Sequence, residues 1–304
     1  MNTPTNTPTP AICYGEILWD VLPDGPQPGG APLNVAYHLN KLGMATSLVS
    51  KIGDDVNGHK LETLLDNWGI KKHLLQVDHE HPTSEVLAKM NNGNEVSYEI
   101  VFPVAWDFIS DSQNIAGQIR PSTYFVFGSL GSRNDVSRDT LMELLENDAI
   151  KVFDINLRPP FISRDLLSDL LHKADIVKFN QAELEMVQSF FRGSFGNEAE
   201  QIKFIQQHFN VPEIIVTKGE FGASYYEHDK AYHVAGREVK VTDTIGSGDS
   251  FLAAFIANHF RGEAPETILK NAIAMGGFIA TKKGGCPDYR LDEYLNFKTQ
   301  IFNL

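Results

Sequence analysis

Two periodicities alternate along this chain. Short, nearly continuous apolar runs at 11–19, 45–52, 74–77, 124–127, 150–154, 176–179 and 213–217 have the length of strands buried on both faces. Stretches with helical spacing of apolar residues lie at 32–42, 58–68, 139–146, 164–172, 181–190 and 199–208. Pro32 suits a first helical turn, and Gly43 and Gly69 stand where helices would be capped. This alternation predicts an α/β fold, with a mostly parallel central sheet and helices on both faces. One region breaks it. Segments 84–90 and 95–102 flank Asn91-Asn92-Gly93-Asn94, a hairpin signal. That hairpin and the Pro/Gly-rich passage after Asp20 are expected to stand off the main sheet as a small β lid. The expected organisation is a disordered tail over 1–10 and one domain over 11–304, with lid segments near 18–30 and 83–105.

Composition narrows the partners. A chain of 304 residues can bury a large core. A formal net charge of −13 opposes binding to nucleic acid or an anionic membrane by bulk electrostatics. A phosphate-bearing ligand would therefore need a local, preorganised positive site. Cys13 and Cys286 are too few for a disulfide framework and lack zinc spacing, which points to a reducing, cytoplasmic setting. No apolar run approaches a membrane span, and residues 1–10 lack the basic and apolar regions of a signal peptide.

The stretch richest in chemistry is Asp243-Thr244-Ile245-Gly246-Ser247-Gly248-Asp249, which runs into an apolar helical segment. Its glycines let successive N–H groups converge at a helix N-terminus, a site for anions. Asp249 stands at the mouth of that site, where a carboxylate can take a proton from a hydroxyl that attacks a phosphate. Asp20, Gly30 and Asn34 flank the end of the first strand, where ligands collect in parallel sheets; the same residue types also make ordinary turns. In Asp154-Ile155-Asn156-Leu157-Arg158, alternate side chains share a face, so Asn156 and Arg158 can point together at a substrate or a phosphate. Asn180 and Glu183 have capping-box spacing, adequate in itself, with a role beside a hydrated Mg²⁺ as the alternative. Thr217, Gly219 and Gly222 close a further strand with permissive glycines, and Asn271 opens a small-residue helical stretch. No phosphate-binding Gly-x-x-x-x-Gly-Lys motif, third dinucleotide glycine or zinc-protease spacing occurs.

Together these residues resemble the PfkB (ribokinase-like) family of carbohydrate kinases, from about Ile12 to the last helix. Two signatures carry the resemblance: Gly29-Gly30-Ala31-Pro32-Leu33-Asn34, continuing to Gly43 and Gly53, and the Asp243–Asp249 stretch. The resemblance implies an ATP-dependent sugar kinase. Asp249 would be the base, and the amides of Gly246, Ser247 and Gly248 the anion hole. Asp20, Gly30, Asn34 and Arg158 would meet the sugar. Asn180, Thr217, Gly219, Gly222 and Asn271 would meet ATP, with Glu183 acting indirectly on Mg²⁺. Asp243 and the backbone of Ile245 would hold a monovalent cation, K⁺. Gly15-Glu16-Ile17-Leu18-Trp19-Asp20 and Asp154-x-Asn-x-Arg158 look most like fructokinases. Kinases of 2-keto-3-deoxygluconate share much of the pattern, and a silent sugar-binding regulator is the third alternative. A homodimer through the lid is also expected.

Overall fold

The structure, a computed structural model, describes residues 10–22, 25–90, 96–112, 114–193 and 195–302. β1 (Ala11–Tyr14) opens the chain. β2 (Leu18–Leu22) and β3 (Gly25–Gly29) follow as an antiparallel pair, before α1 (Ala31–Lys41). Next come β4 (Thr46–Gly53), α2 (Val56–Trp68) and β5 (Leu75–Asp78), then β6 (Ser84–Met90) and β7 (Val96–Ile100). Alternation resumes with β8 (Tyr124–Gly128), α3 (Asp135–Leu144), β9 (Ile150–Asp154), α4 (Arg164–Lys173), β10 (Ile176–Asn180), α5 (Gln181–Phe191) and α6 (Glu198–Phe209). β11 (Glu213–Thr217), β12 (Ala223–Glu227) and β13 (Lys230–Val234) precede the helices α7 (Ser247–Phe260), α8 (Pro265–Ala280) and α9 (Leu291–Phe302).

The large sheet has the order β13-β12-β11-β10-β9-β8-β1-β4-β5. From β5 to β11 every pairing is parallel, and β12 and β13 add an antiparallel edge. One face is covered by α1, α7 and α8, through residues such as Leu33, Tyr37, Phe255 and Met275. The other is covered by α3 to α6, through Leu141, Leu167, Leu184 and Ile205. Burial on both faces explains the unbroken apolar runs of β1 and β8. Connections leave β1 toward β4 on one side while β8 pairs on the other, and such a reversal opens a crevice at the carboxyl ends of the strands.

A second sheet, β3-β2-β6-β7, stands apart, as the lid expectation requires. Its two antiparallel hairpins are joined by parallel pairing of β2 with β6. The expected turn at Asn91–Asn94 lies outside the described residues. The strand expected at 11–19 is two strands, because Gly15 at φ +134° turns the chain out of the large sheet. The Pro/Gly-rich passage assigned to the lid contains β3, whose Pro26 and Pro28 sit opposite Val21 and Trp19. An edge strand tolerates proline because its outward N–H has no ladder partner to lose. β12 and β13 fall where no strand is predicted. Helix α3 starts at Asp135, ahead of the expected 139, because the Asn134 side chain accepts from the Val136 amide. Among the described residues, no helix is long and apolar enough to cross a membrane.

Candidate active site

A cavity of about 880 Å³ opens at the crevice beside β1, between the carboxyl ends of the strands and the lid. Its walls include Asp20, Gly30, Asn34, Asn156, Arg158, Asn180, Glu183, Thr217, Asp243, Ile245, Gly246, Gly248 and Asp249. Positions scattered over most of the sequence therefore converge on one chamber. Gly219 and Gly222 lie beyond that lining, where they shape the turn from β11 into β12. At Gly222, φ is +97° and a Cβ would meet the Val234 carbonyl at 2.1 Å. Asn271 departs from the expectation. It is buried between helices, its amide donating to Asn258 Oδ1 at 2.7 Å and its carbonyl accepting from Tyr294, so it does not reach the chamber.

The anion site is built by the backbone. Gly246 caps α7 at φ +73°, and a Cβ there would lie 2.5 Å from Gly285 Cα. Gly248 and Asp249 consequently sit in the first helical turn. The amides of Gly246, Gly248 and Asp249 have no acceptor among the described residues, and they share the positive end of the helix. Ser247 is the correction to the expected trio. Its amide donates to the Thr244 carbonyl at 3.2 Å and its hydroxyl to the Gly276 carbonyl at 3.0 Å. Asp243 braces the loop, its two oxygens accepting from the Ile245 and Gly284 amides at 3.0 Å each. From α1, buried His38 holds the Gly285 carbonyl through Nε2 at 2.9 Å, and burial pushes its pKa down to about 4. It is therefore neutral, with Nε2 as the donor and Nδ1 facing the Tyr289 hydroxyl at 3.0 Å.

Asp249 is held from α1. Asn34 Nδ2 donates to its Oδ2 at 2.8 Å, and the Cys286 thiol donates to Asn34 Oδ1 at 3.2 Å. Burial pushes the Asp249 carboxyl up to about 6; the charge of Asp154 adds to this, while Asn34, Lys178 and Arg158 pull it down. That value leaves a carboxylate ionised at neutral pH yet more basic than usual, as a general base requires. Asp20 is raised to about 6 by burial, Arg158 lowering it and the Asp249 and Asp243 charges raising it further.

Two cavity residues escape the motif reading. Glu16 is buried, its Oε1 accepting from the Ala31 amide at 3.3 Å and its Oε2 unpartnered. Burial raises its pKa to about 7. Lys178, also buried, places Nζ 2.8 Å from both oxygens of Asp154. The signal was available for each: a charged residue inside an apolar strand segment demands a reason.

Asn180 and Glu183 form the expected capping box at the start of α5, at 2.9 and 2.8 Å. Glu183 Oε1 also accepts from the Leu157 amide at 3.2 Å. Burial raises this carboxyl, the Asp154 charge adding to the effect. The described residues hold no cluster of acidic, His or Cys side chains able to cage a metal. Glu183, the wall carboxylate beside Asn180, fits Mg²⁺ carried mainly by phosphates and water.

A carboxylate in the first turn of a central helix, beside free amides and under a separate lid on a parallel α/β sheet, suits phosphoryl transfer to a hydroxyl. Residues 24–290 match the model of the pfkB family carbohydrate kinases, and the chain belongs to that family. It is thus a carbohydrate kinase. Fructokinase-2 of Solanum habrochaites is 29% identical over 309 residues, covering 91% of this chain and 92% of the relative. A fructokinase double mutant from Vibrio cholerae O395, in fructose-, ADP- and potassium-bound form, superposes with a TM-score of 0.81 at 23% identity, covering 94% and 97% of the two chains. A putative ribokinase II from E. coli, in complex with ATP and Mg²⁺, gives 0.82 at 23% identity, covering 95% and 99%.

Proposed function

We propose that the protein is an ATP-dependent fructokinase that phosphorylates D-fructose at its 6-hydroxyl. The observation carrying this reading is the charge balance at the sugar end. Arg158 already acts on Glu16, Asp20 and Asp249, lowering the pKa of each. Among the described residues lining this end of the cavity, Arg158 is the one cation against Glu16, Asp20 and Asp249, so a substrate carboxylate would add a further negative charge, whereas a neutral polyol can satisfy carboxylates and the Asn34 amide with hydroxyls. The relatives named fructokinase support the same substrate. In this reading Asp249 takes the 6-hydroxyl proton as the sugar oxygen attacks the γ-phosphorus. The free amides at the start of α7 meet the charge developing on the phosphoryl oxygens, and ADP leaves. Glu183 would hold Mg²⁺ through water, the ion screening the ATP phosphates. Asp243 and the Ile245 backbone would hold K⁺, fixing the carbonyls of the loop and thereby the direction of its N–H groups. Activity should rise when K⁺ replaces a bulky organic cation at constant ionic strength; a flat response removes K⁺ from the scheme.

The deciding experiment compares kcat/KM for fructose and 2-keto-3-deoxygluconate at saturating MgATP. Preference for fructose is expected. Preference for the sugar acid would assign Arg158 to a substrate carboxylate and overturn the fructose reading, leaving the kinase intact. Among the described residues, the outer strands β3 and β7 of the lid each keep one edge without a strand partner, which supports a homodimer formed lid to lid. Light scattering showing a monomer at micromolar concentration removes the dimer.

A further inference from the structure

Lys178 stands in the apolar strand β10, where an unpaired ammonium would be expensive to bury. The parallel register sets it directly beside Asp154 on β9, and Nζ lies 2.8 Å from each carboxylate oxygen. An ammonium has three donors. Two go to Asp154, and the third has no protein acceptor among the described residues, while the side chain lines the cavity. A Cβ built on Gly248 would lie 3.5 Å from Nζ, so the ammonium rests against the first turn of α7, beside the free amides.

Charge balance gives this position meaning. The walls carry the carboxylates Glu16, Asp20, Glu183, Asp243 and Asp249 against the cations Arg158 and Lys178. Arg158 lies toward Glu16 and Asp20, lowering the pKa of both through its charge. Lys178 is the cation on the anion-site side, where a phosphoryl group with spread negative charge must pass. Asp154 also has a task. By accepting two of the three donors, it fixes where the Lys178 ammonium stands.

We propose that Lys178 is a catalytic residue, its unused N–H donating to a non-bridging oxygen of the phosphoryl group in transit, with Asp154 as its positioning residue. The proposal rests on the kinase reaction and is independent of the sugar. Its test uses Lys178→Met, Lys178→Arg and the double variant Asp154→Asn/Lys178→Met, which removes both buried charges and guards against failure to fold.

Lys178→Met should lower kcat by about 10²–10³-fold, the scale of losing one transition-state donor. ADP affinity should stay within about threefold, and inhibition by ADP with aluminium fluoride in the presence of sugar should be lost. Lys178→Arg should recover part of the rate, and the double variant should stay slow. A folded Lys178→Met enzyme with native kcat, or a double variant that regains it, overturns the proposal. If the native protein phosphorylates no sugar offered, the substrate reading fails and Lys178 is judged by nucleotide binding alone. Lys178→Met must then weaken AMP-PNP relative to ADP by about tenfold, since only the former carries the third phosphate. An unchanged ratio also overturns the proposal.

Discussion

Asp249 owes its basicity to what surrounds it. Burial and Asp154 push its pKa to about 6; Asn34, Lys178 and Arg158 restrain it. Below that value Asp249 is protonated, so if it is the base, as proposed, kcat/KM should fall as pH drops through 6. Asn34→Ala removes a bond to the ionised form and should move this acid limb to higher pH. An unmoved limb would show that the 2.8 Å contact does not act on the base. Asp249→Asn should fold normally and lose about 10²–10⁴-fold in kcat; native turnover in the folded variant rejects its role. Glu16 yields a stability prediction. Its folded pKa, raised by burial to about 7 from 4.5, lies above the unfolded value, so the folded state binds that proton more tightly. The cost of ionising it is absent below the unfolded value and complete above about 7. Glu16→Gln should therefore stabilise the protein increasingly as pH rises from 4.5 to 7, by at most roughly 3 kcal/mol. Urea unfolding at both ends of that window checks it, and an equal gain at each end sinks it.

At the scale of elements, the loop before α7 is fixed by close backbone approach. Gly246→Ala introduces a Cβ 2.5 Å from Gly285 Cα at a left-handed φ, and His38 holds Gly285 in place. The strain should cost about 1–3 kcal/mol, and displaced amides should lower kcat by more than the stability loss suggests. Stopped kcat measurements beside urea curves separate the two; unchanged kcat would show that the amides tolerate the shift. The loop's importance was legible in the sequence because glycine there answers a conformational demand. The parallel sheet was legible for a similar reason, since strands buried on both faces leave no polar alternation to misread. β3 was not, because Pro26 and Pro28 carry the signature of a loop and only the edge position reconciles them with a strand. Lys178 was passed over because its partner lies 24 residues away, and strand register alone brings Asp154 beside it. Asn271 has the opposite history. The resemblance set it beside ATP, but here its buried amide is satisfied by Asn258.

Across the whole molecule, the chamber lies between two sheets that share no strand. Asp249 and the free amides of Gly248 and Asp249 belong to helix α7, packed on the large sheet, whereas Asp20 lies on β2 in the other. Through the parallel β2–β6 pairing, the ladder that contains Asp20 continues into β6 and β7. Grip and roof are consequently one piece of backbone. On the proposed reading, a sugar held by Asp20 would latch the roof by itself, and the nucleotide would then enter a room already closed at its far end. Fructose alone should slow amide exchange along β6, ATP alone should not, and initial-rate patterns should be ordered with the sugar first.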